Sequence, residues 1–181
     1  MNWDECVKRQ ISRVVQIRSS DGGSDQIGHQ AFHERRPRRP AMRYWINTIS
    51  RDHVTKGVQG GFTQAGHGSR TGLNKLSEGD FIIFYSPRAS IARSSSAVQQ
   101  FTALGRITDS TAYQVEVSST FRPFRRKMEF TRDIKSVDVR PFIDKLEFIK
   151  DKKHWGIAFR TGLFPISQKD YELISKEMTS K

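Results

Sequence analysis

Hydrophobic residues from position 42 onward fall into short runs, which predict a mixture of short strands and helices. The continuous aromatic and aliphatic run at residues 81–85 predicts a strand that is buried on both faces. Residues 44–49 predict a second buried strand. Residues 101–107 and 113–117 predict two strands that pair with each other, and residues 127–130 predict a further strand.

Helix signals stand between these strands and after them. Ser50 or Asp52 can cap a helix that ends at the glycine pair of residues 60–61, and a brief helix is expected over residues 73–76. Pro141 suits the first position of a later helix. The apolar stripe of that helix would consist of Phe142, Ile143, Leu146 and Ile149.

The C-terminal helix has the clearest signal. Ser167 can cap it, and Asp170 stands where a capping box places an acidic or amide side chain. Its buried face would consist of Tyr171, Ile174 and Met178. Five or six short strands with peripheral short helices indicate the α+β class, with a small, partly open mixed β-barrel instead of a doubly wound sheet.

Residues 1–41 differ from the rest of the chain. They contain a Ser-, Gly-, Asp- and Gln-rich stretch at residues 19–30 and the basic, proline-broken run ERRPRRP at residues 34–40. We expect a mostly disordered or extended arm, with one short helix over residues 6–17. The arm can be a nucleic-acid-binding tail or a bare linker. Because Met42 stands directly before the first strand, a mis-assigned start is a third interpretation.

The charge of the chain favours a polyanionic partner. The formal net charge is +12 and the isoelectric point is about 10.2. Half of that net charge lies in residues 122–160, which hold twelve Lys and Arg against six Asp and Glu. A solvated basic surface without a specific partner is the competing interpretation.

Cysteine and hydropathy patterns bear on the compartment. The single cysteine, Cys6, excludes an internal disulfide and a cysteine-based zinc site, and it fits a reducing cytoplasm. No apolar run approaches the roughly 20 residues of a membrane helix. We therefore expect a cytoplasmic protein without a membrane partner; the sequence does not predict its oligomeric state.

Residues 43–88 combine aromatic side chains, a Gly-rich turn with a histidine, and the strand end YSPR. This combination predicts a pocket for a flat, polar ligand, and a nucleic-acid base fits it well. Aromatic rings would stack on the base, at about 1–3 kcal/mol per base. The stacking candidates are Trp45, Phe62, Tyr85 and Trp155, with Tyr44 as the alternative to Trp45. The candidates for reading the polar edge of the base are Asn47, Thr63, Gln64 and Ser86.

Phosphate groups would be held by a turn and by arginines. The turn around His67 and Gly68 can present backbone N–H groups as an anion-binding nest. Arginine favours bidentate contacts with phosphate. The candidates are Arg88, Arg93, Arg122, Arg125 and Arg126.

Catalytic and metal-binding interpretations have less support. Asp52 and His53 can form an acid–base pair, but no nucleophile motif lies near them in the sequence. The histidines have neither HExxH nor paired spacing, and no phosphate-loop or dinucleotide motif is present. We therefore predict a protein without catalytic activity, metal or cofactor. An enzyme that acts on nucleic acid through His53 or His67 is the weaker alternative.

A series of motifs beginning at residue 43 resembles the EVE domain, a member of the PUA-like superfamily related to YTH domains. The matching pieces are RYWI at 43–46, SRDHV at 50–54, GVxGGFxQ at 57–64, HG at 67–68, GD at 79–80, YSPR at 85–88, QFTALGRI at 100–107, YQVEV at 113–117, FRPFRR at 121–126, KLEFI at 145–149, WG at 155–156 and FRTGLF at 159–164. Their number and order make a chance similarity implausible. Residues 42–181 would then form one domain.

The resemblance implies a PUA-like β-barrel with flanking helices and a pocket for a modified base of DNA or RNA. It also implies a binding module, not a catalyst. The family often has a lysine after its His-Gly pair, whereas this chain has Ser69 and Arg70, so Arg70 is the candidate replacement at the phosphate. The main hypothesis is therefore a reader of modified bases in single-stranded nucleic acid or of a flipped base. The alternative is a sensor or interaction module that takes a free, nucleoside-like molecule in the same pocket. The sequence does not reveal the modification, or whether the polymer is DNA or RNA.

Overall fold

The computed structural model describes residues 42–180, so the predicted arm of residues 1–41 lies outside the described residues. The strands are β1 (Tyr44–Thr48), β2 (Phe62–Thr63), β3 (Phe81–Arg88), β4 (Ala97–Ile107), β5 (Tyr113–Gln114), β6 (Phe124–Phe130), β7 (Val137–Asp138) and β8 (Leu163–Ile166). The α-helices are α1 (Arg51–Gly60), α2 (Arg70–Leu73) and α3 (Gln168–Thr179), and 3₁₀ turns cover Gly66–Gly68, Arg140–Phe142 and Trp155–Thr161. No helix in the described part of the chain is both long and apolar enough to span a bilayer.

The eight strands form one mixed, curled sheet in the order β2-β6-β4-β3-β1-β8, with β5 paired to β6 and β7 paired to β4. β1 and β3 are parallel, and the other pairs are antiparallel. β4 runs along β3, and it also pairs with β7 near its start and with β6 at its end. This half-barrel with short helices confirms the predicted α+β class and barrel-like architecture.

Core side chains cover both faces of the sheet, because successive residues of a strand point to opposite sides. In β3, Ile82 and Phe84 join one hydrophobic cluster, and Ile83 and Tyr85 join the other. The first cluster also holds residues of α1 and α2, and the second holds residues of α3 and of the Trp155–Thr161 turn. The prediction that residues 81–85 form a doubly buried strand is confirmed.

The strands β4 and β6 approach each other closely at Gly105. A Cβ atom on Gly105 would lie 2.3 Å from the carbonyl oxygen of Glu129 and 2.9 Å from the Met128 side chain. A glycine is therefore required at this crossing, because any side chain would force the two strands apart.

Several local predictions need correction. The predicted strand at residues 113–117 shrinks to β5, and its partner is β6 instead of β4. The helix expected at residues 73–76 begins earlier, as α2, where the Ser69 hydroxyl accepts the N–H of Thr71. The expected helix after Pro141 is only the 3₁₀ turn Arg140–Phe142, and beyond it Lys152 Nζ donates to the carbonyl oxygens of Ile143 and Leu146.

In the C-terminal helix, Ser167 caps the helix as predicted, whereas Asp170 does not complete a capping box. The Ser167 hydroxyl accepts the N–H of Asp170, as an N-cap should. The carboxylate of Asp170 does not return to the cap; it is 1% exposed and accepts the N–H groups of Glu147 and Phe148. Asp170 therefore fastens α3 to the preceding loop.

Candidate ligand-binding cleft

A cleft of about 1260 Å³ opens at the ends of β1 and β3. The two strands are parallel, so their carboxyl ends meet at the same edge of the sheet. The remaining walls come from α1, β2 and its following turn, the loop between β3 and β4, and the Trp155–Thr161 turn. Pockets for small molecules have volumes of about 300–1,000 Å³. This cleft therefore has room for more than one planar ring.

Aromatic rings face the cleft from two sides. Phe62 is half-buried, and the guanidinium of Arg125 lies over its ring at 3.7 Å from the centroid. Trp155, also half-buried, stands edge-on to Phe159 with ring centroids 6.1 Å apart. The interior of the cleft therefore offers flat apolar surfaces that are not fully consumed by the core.

Tyr85 forms part of the wall and is 3% exposed. Its ring stacks on Phe159 at 3.9 Å. Burial raises the pKa of Tyr85 to about 12, so its hydroxyl is protonated at neutral pH. Because both faces of the strand are packed, Tyr85 contributes shape to the cleft more than a free stacking surface.

Buried polar atoms without a hydrogen-bond partner are concentrated at this cleft. Among the described residues, the side-chain atoms in this condition are Asn47 Oδ1, Thr48 Oγ1 and Arg125 Nε. Thr48 and Arg125 line the cleft, and Asn47 precedes Thr48 in β1. Such orphaned groups are uncommon in folded proteins, since each costs free energy. Two of the three atoms belong to residues of the cleft wall.

The cleft is strongly basic. Its cationic lining residues are Lys56, Arg88, Arg93, Arg125, Lys153 and Arg160. None of the six forms an ion pair with a carboxylate of the described chain, and no Asp or Glu of residues 42–180 lines the cleft. Outside the cleft, by contrast, Arg43, Arg122 and Arg140 each have an acidic partner. Unpaired cations around a concave surface attract phosphate.

Part of the predicted site lies in this cleft. Its members are Phe62, Thr63, Gln64, Tyr85 and Trp155 from the base-binding set, and His67, Arg88, Arg93 and Arg125 from the phosphate set. The structure therefore brings together residues that are far apart in the sequence, from β2 to the Trp155–Thr161 turn.

Neither Tyr44 nor Trp45 lines the cleft, although one of them was expected to face it. Tyr44 packs against Tyr171, with ring centroids 4.7 Å apart. Trp45 is 4% exposed, and its indole N–H donates to Asp80 Oδ2 at 3.0 Å. Both positions are corrected to structural roles, because β1 is covered on its two faces.

The predicted edge readers Asn47 and Ser86 are also internal. The side-chain amide of Asn47 donates to Thr63 Oγ1 and to the carbonyl oxygen of Gln64, at 3.1 Å each. Ser86 is fully buried, and its hydroxyl lies 2.8 Å from that of Thr102. Asn47 therefore positions two residues of the cleft wall without lining the cleft itself.

Three of the predicted phosphate-binding arginines lie outside the cleft. Arg126 is 1% exposed and forms an ion pair with Asp109 at 2.6 Å, so it is not available to phosphate. Arg122 is exposed but pairs with Glu116 at 3.0 Å. Arg70 lies over Phe124, with its guanidinium carbon 5.5 Å from the ring centroid.

The turn at His67 differs from the expected anion nest. The N–H of Gly68 donates to Ala65 and that of Ser69 donates to Gly66, so these two groups are used inside the turn. Gly68 has φ +88° and does not line the cleft, and a Cβ there would lie 2.5 Å from Pro123. His67 remains exposed at the cleft, whereas Gly68 serves close packing.

The acid–base pair considered from the sequence has an unproductive geometry. The hydroxyl of Ser50 donates to Asp52 Oδ1 at 2.5 Å and lies 3.0 Å from His53 Nδ1. Asp52 approaches that same nitrogen at 3.3 Å, whereas a hydrolytic triad uses opposite nitrogens of the ring. Burial raises the pKa of Asp52, but hydrogen bonds from the Ser50 hydroxyl and the His53 N–H outweigh it, and the pKa is lowered. In the part of the chain described, no three His, Cys, Asp or Glu side chains group as metal ligands.

Sequence reasoning missed several lining residues, notably Thr48, Lys56, Lys153, Ile157 and Arg160. Thr48 follows Asn47 directly, and Arg160 lies in the FRTGLF motif, so adjacency to candidate residues was the available signal. Lys56 and Lys153 are ordinary surface lysines in the sequence, and only the fold brings them to the cleft.

The described part of the chain is similar in sequence and in fold to known proteins. Residues 43–177 match the EVE domain. A UPF0310 protein of Mycolicibacterium vanbaalenii is 48% identical over 139 residues, which cover 77% of this chain and 94% of that protein. The UPF0310 protein YdcG of Bacillus subtilis is 37% identical, covering 75% of this chain and 91% of that protein. The YTH domain of the Zygosaccharomyces rouxii MRB1 protein, solved in complex with N6-methyladenosine RNA, has a similar fold. The TM-score is 0.53 at 14% identity, over 79% of this chain and 88% of that chain.

Proposed function

The chain belongs to the EVE domain family, and from that premise we propose that it binds DNA or RNA by taking a modified base into the cleft. The phosphate backbone would follow the basic side chains around the opening. No bond would be made or broken, since the cleft offers hydrogen bonds and stacking surfaces without an activated nucleophile. A protein of the same fold, the YTH domain, is seen with N6-methyladenosine RNA.

The observation that carries the proposal is the pairing of aromatic surfaces with six unpaired cations in one cleft that no acidic side chain of residues 42–180 lines. A base supplies a π-face and a polar edge, and its phosphates supply the negative charge. Few small metabolites combine these properties over a cleft of about 1260 Å³. A polymer therefore accounts for more of the surface than a free nucleoside does.

Within the cleft, we assign stacking to Phe62 and Trp155. Arg125 would hold the Phe62 ring flat from behind, because a cation over a ring face is attracted to it. Edge reading would fall to Gln64 and Thr48. The Thr48 hydroxyl is buried without a protein partner, and Thr48 lines the cleft.

Oligonucleotide binding tests the proposal. We would measure the affinity of the unaltered protein for short strands that carry a central N6-methyladenosine or 5-methylcytosine, each against its unmodified counterpart, as DNA and as RNA. Phe62→Ala should lose the preference for the modified strand and weaken binding by about 1–3 kcal/mol, the value of one stacked base. Phe81→Ala is the matched control, since Phe81 is also half-buried but lies outside the cleft. Equal discrimination by Phe62→Ala and the unaltered protein would remove Phe62 from the site.

The sensor alternative makes an opposite prediction about salt. Binding of a polyanion weakens steeply as salt rises, whereas binding of a neutral nucleoside hardly changes. If the protein binds nucleosides tightly and binds every oligonucleotide weakly, with no dependence on salt, the proposal of a nucleic-acid reader is wrong.

A further inference from the structure

The mouth of the cleft carries exposed apolar side chains. Large hydrophobic residues that are strongly exposed in the described chain include Ile91 at 66%, Val117 at 55%, Phe121 at 42% and Ile157 at 54%, and all four line the cleft. Met42 and Val58 are comparably exposed but lie outside it. We call the four cleft residues the apolar rim. Exposed apolar residues that gather at one place mark an interaction site, whereas isolated ones need no explanation.

The apolar rim is assembled by the fold from three separate segments. Ile91 lies in the loop between β3 and β4, Val117 and Phe121 lie in the connection between β5 and β6, and Ile157 lies in the Trp155–Thr161 turn. A bridge between Ser118 and Phe121 closes the second of these segments. Since the segments are distant in sequence, their meeting at one opening is a property of the site.

The chemistry of the rim differs from that of the interior. Phe62 and Trp155, which are half-buried, have flat faces, whereas three of the four exposed rim residues are aliphatic. Proteins that bind single strands stack successive bases on aromatic rings. Exposed apolar side chains, Ile and Phe among them, also serve as wedges that enter the gap between base pairs. The rim therefore suits the space that a base leaves behind more than it suits a base itself.

We propose that the partner is a double helix from which the target base is extruded, and that the apolar rim fills the gap left in the stack. This inference rests on the proposed function, because it assumes that the base enters the cleft. The extruded base would lie against Phe62 and Trp155, the rim would cover the unstacked neighbours, and the unpaired cations beside it would hold the phosphates. Extrusion costs the stacking and pairing of one base, and a wedge in the gap offsets part of that cost.

A lipid bilayer is the other partner that apolar and basic side chains can suit. The rim, however, surrounds a concave site that holds two buried polar atoms without partners, Thr48 Oγ1 and Arg125 Nε. A nucleic acid uses the rim and the interior together, so the features of the cleft favour it.

Two rim substitutions and one matched control test the inference. Val117→Ser and Ile157→Ser, alone and combined, remove apolar volume from the rim. Val58→Ser removes the same group from a valine of 45% exposure outside the cleft. The probes are the N6-methyladenosine RNA and 5-methylcytosine DNA strands, each as a single strand, as a matched duplex, and as a duplex with a mismatch opposite the modified base.

The unaltered protein should bind the mismatched duplex more tightly than the matched one by about tenfold, because an unpaired base is easier to extrude. The combined rim variant should bind both duplexes about tenfold more weakly while its affinity for the single strand stays the same. Val58→Ser should behave as the unaltered protein. Unaltered duplex binding by the combined variant would overturn the inference, as would an equal loss on duplex and single strand.

Two outcomes separate this inference from the proposed function. If the modified single strand binds and neither duplex does, the reader function stands and the extrusion of a base from a duplex is wrong. If no nucleic acid binds, both fail. Rim variants that lose binding to vesicles containing phosphatidylserine, with duplex binding unchanged, would assign the rim to a membrane instead.

Discussion

Thr48 is a single residue at which stability and binding are expected to respond in opposite directions. Its buried hydroxyl has no partner in the protein, so Thr48→Val removes a desolvated polar atom and keeps the shape of the side chain. We expect the free energy of unfolding to stay equal or to rise by up to about 1 kcal/mol. Affinity for the modified strand should fall by about 1 kcal/mol, since a hydrogen bond to the ligand is lost. Urea denaturation and oligonucleotide titration measure the two quantities.

Thr102→Val provides the control for Thr48→Val. The Thr102 hydroxyl lies 2.8 Å from that of Ser86, which is fully buried. The substitution would leave Ser86 without this partner, at a cost of about 1–3 kcal/mol in the free energy of unfolding. A loss of stability in Thr48→Val as large as that in Thr102→Val would mean that the Thr48 hydroxyl has a structural partner after all.

At the scale of single residues, the sequence identified candidate side chains for the site but not the direction in which each side chain points. Phe62 follows two glycines and precedes polar residues, so its place outside the core could be inferred from the sequence alone. Tyr44 and Trp45 lie in an apolar run that is equally compatible with a pocket and with a covered strand. The deciding facts, contacts with Tyr171 and with Asp80, come from residues distant in sequence.

At the scale of secondary-structure elements, the close approach of β4 and β6 predicts that a side chain at Gly105 lowers the stability of the fold. Gly105→Ala places a methyl group within 2.3 Å of the Glu129 carbonyl, which neither strand can avoid without moving. We expect the free energy of unfolding to fall by about 1–3 kcal/mol, in the range of overpacked cores. Gly156→Ala is the control, because a Cβ at Gly156 would meet no atom within 4 Å. A destabilisation by Gly105→Ala no greater than that by Gly156→Ala would show that the strands can separate freely.

Helices and strands whose ends are determined by neighbouring residues were predicted correctly from the sequence. Strands that exist only through pairing with a distant strand were not. α1 is followed by its C-cap Gly61, which has φ +64°, and α3 is preceded by its N-cap Ser167, so neighbouring residues determine both boundaries. β2 and β7 are two residues long and exist only through pairing with β6 and β4. Because periodicity reveals the buried face of a strand but not its neighbour, the pairing of β5 with β6 could not be obtained from the sequence.

For the whole molecule, the net charge of +12 matters less than the location of unpaired cations. Arg160 lines the cleft and Arg132 does not, and both are exposed without an acidic partner among the described residues. Arg160→Ala should reduce the slope of log affinity against log salt by about 1, since one phosphate contact is lost. Arg132→Ala should leave that slope unchanged although it removes the same charge. Equal slopes for the two variants would mean that binding depends on total charge instead of on the cleft.

The total charge could be obtained from the sequence, but the identity of the cations that line the cleft could not. The FRPFRR segment at residues 121–126 supplies one cleft cation, Arg125, whereas Arg122 and Arg126 are paired elsewhere. Lys56 and Lys153, which lie far from that segment in the sequence, are among the unpaired cations of the cleft. A cluster in the sequence is therefore a poor guide to a cluster in space when strand pairing separates successive side chains.

That separation gives Arg125 and Arg126 unequal freedom to change. Arg126 donates to Asp109 and to the carbonyl oxygens of Leu73 and Leu76, a set of acceptors that only one alignment of β6 can supply. Arg125 directly precedes Arg126 and faces the opposite side of the sheet, over Phe62. The buried Arg126 thus fixes the register of β6, and with it the side of the sheet on which Arg125 lies. For protein engineering, residue 125 can be substituted to change the ligand preference while Arg126 is kept. Every new side chain at position 125 would then lie on the same side of the sheet, because the register of β6 is unchanged.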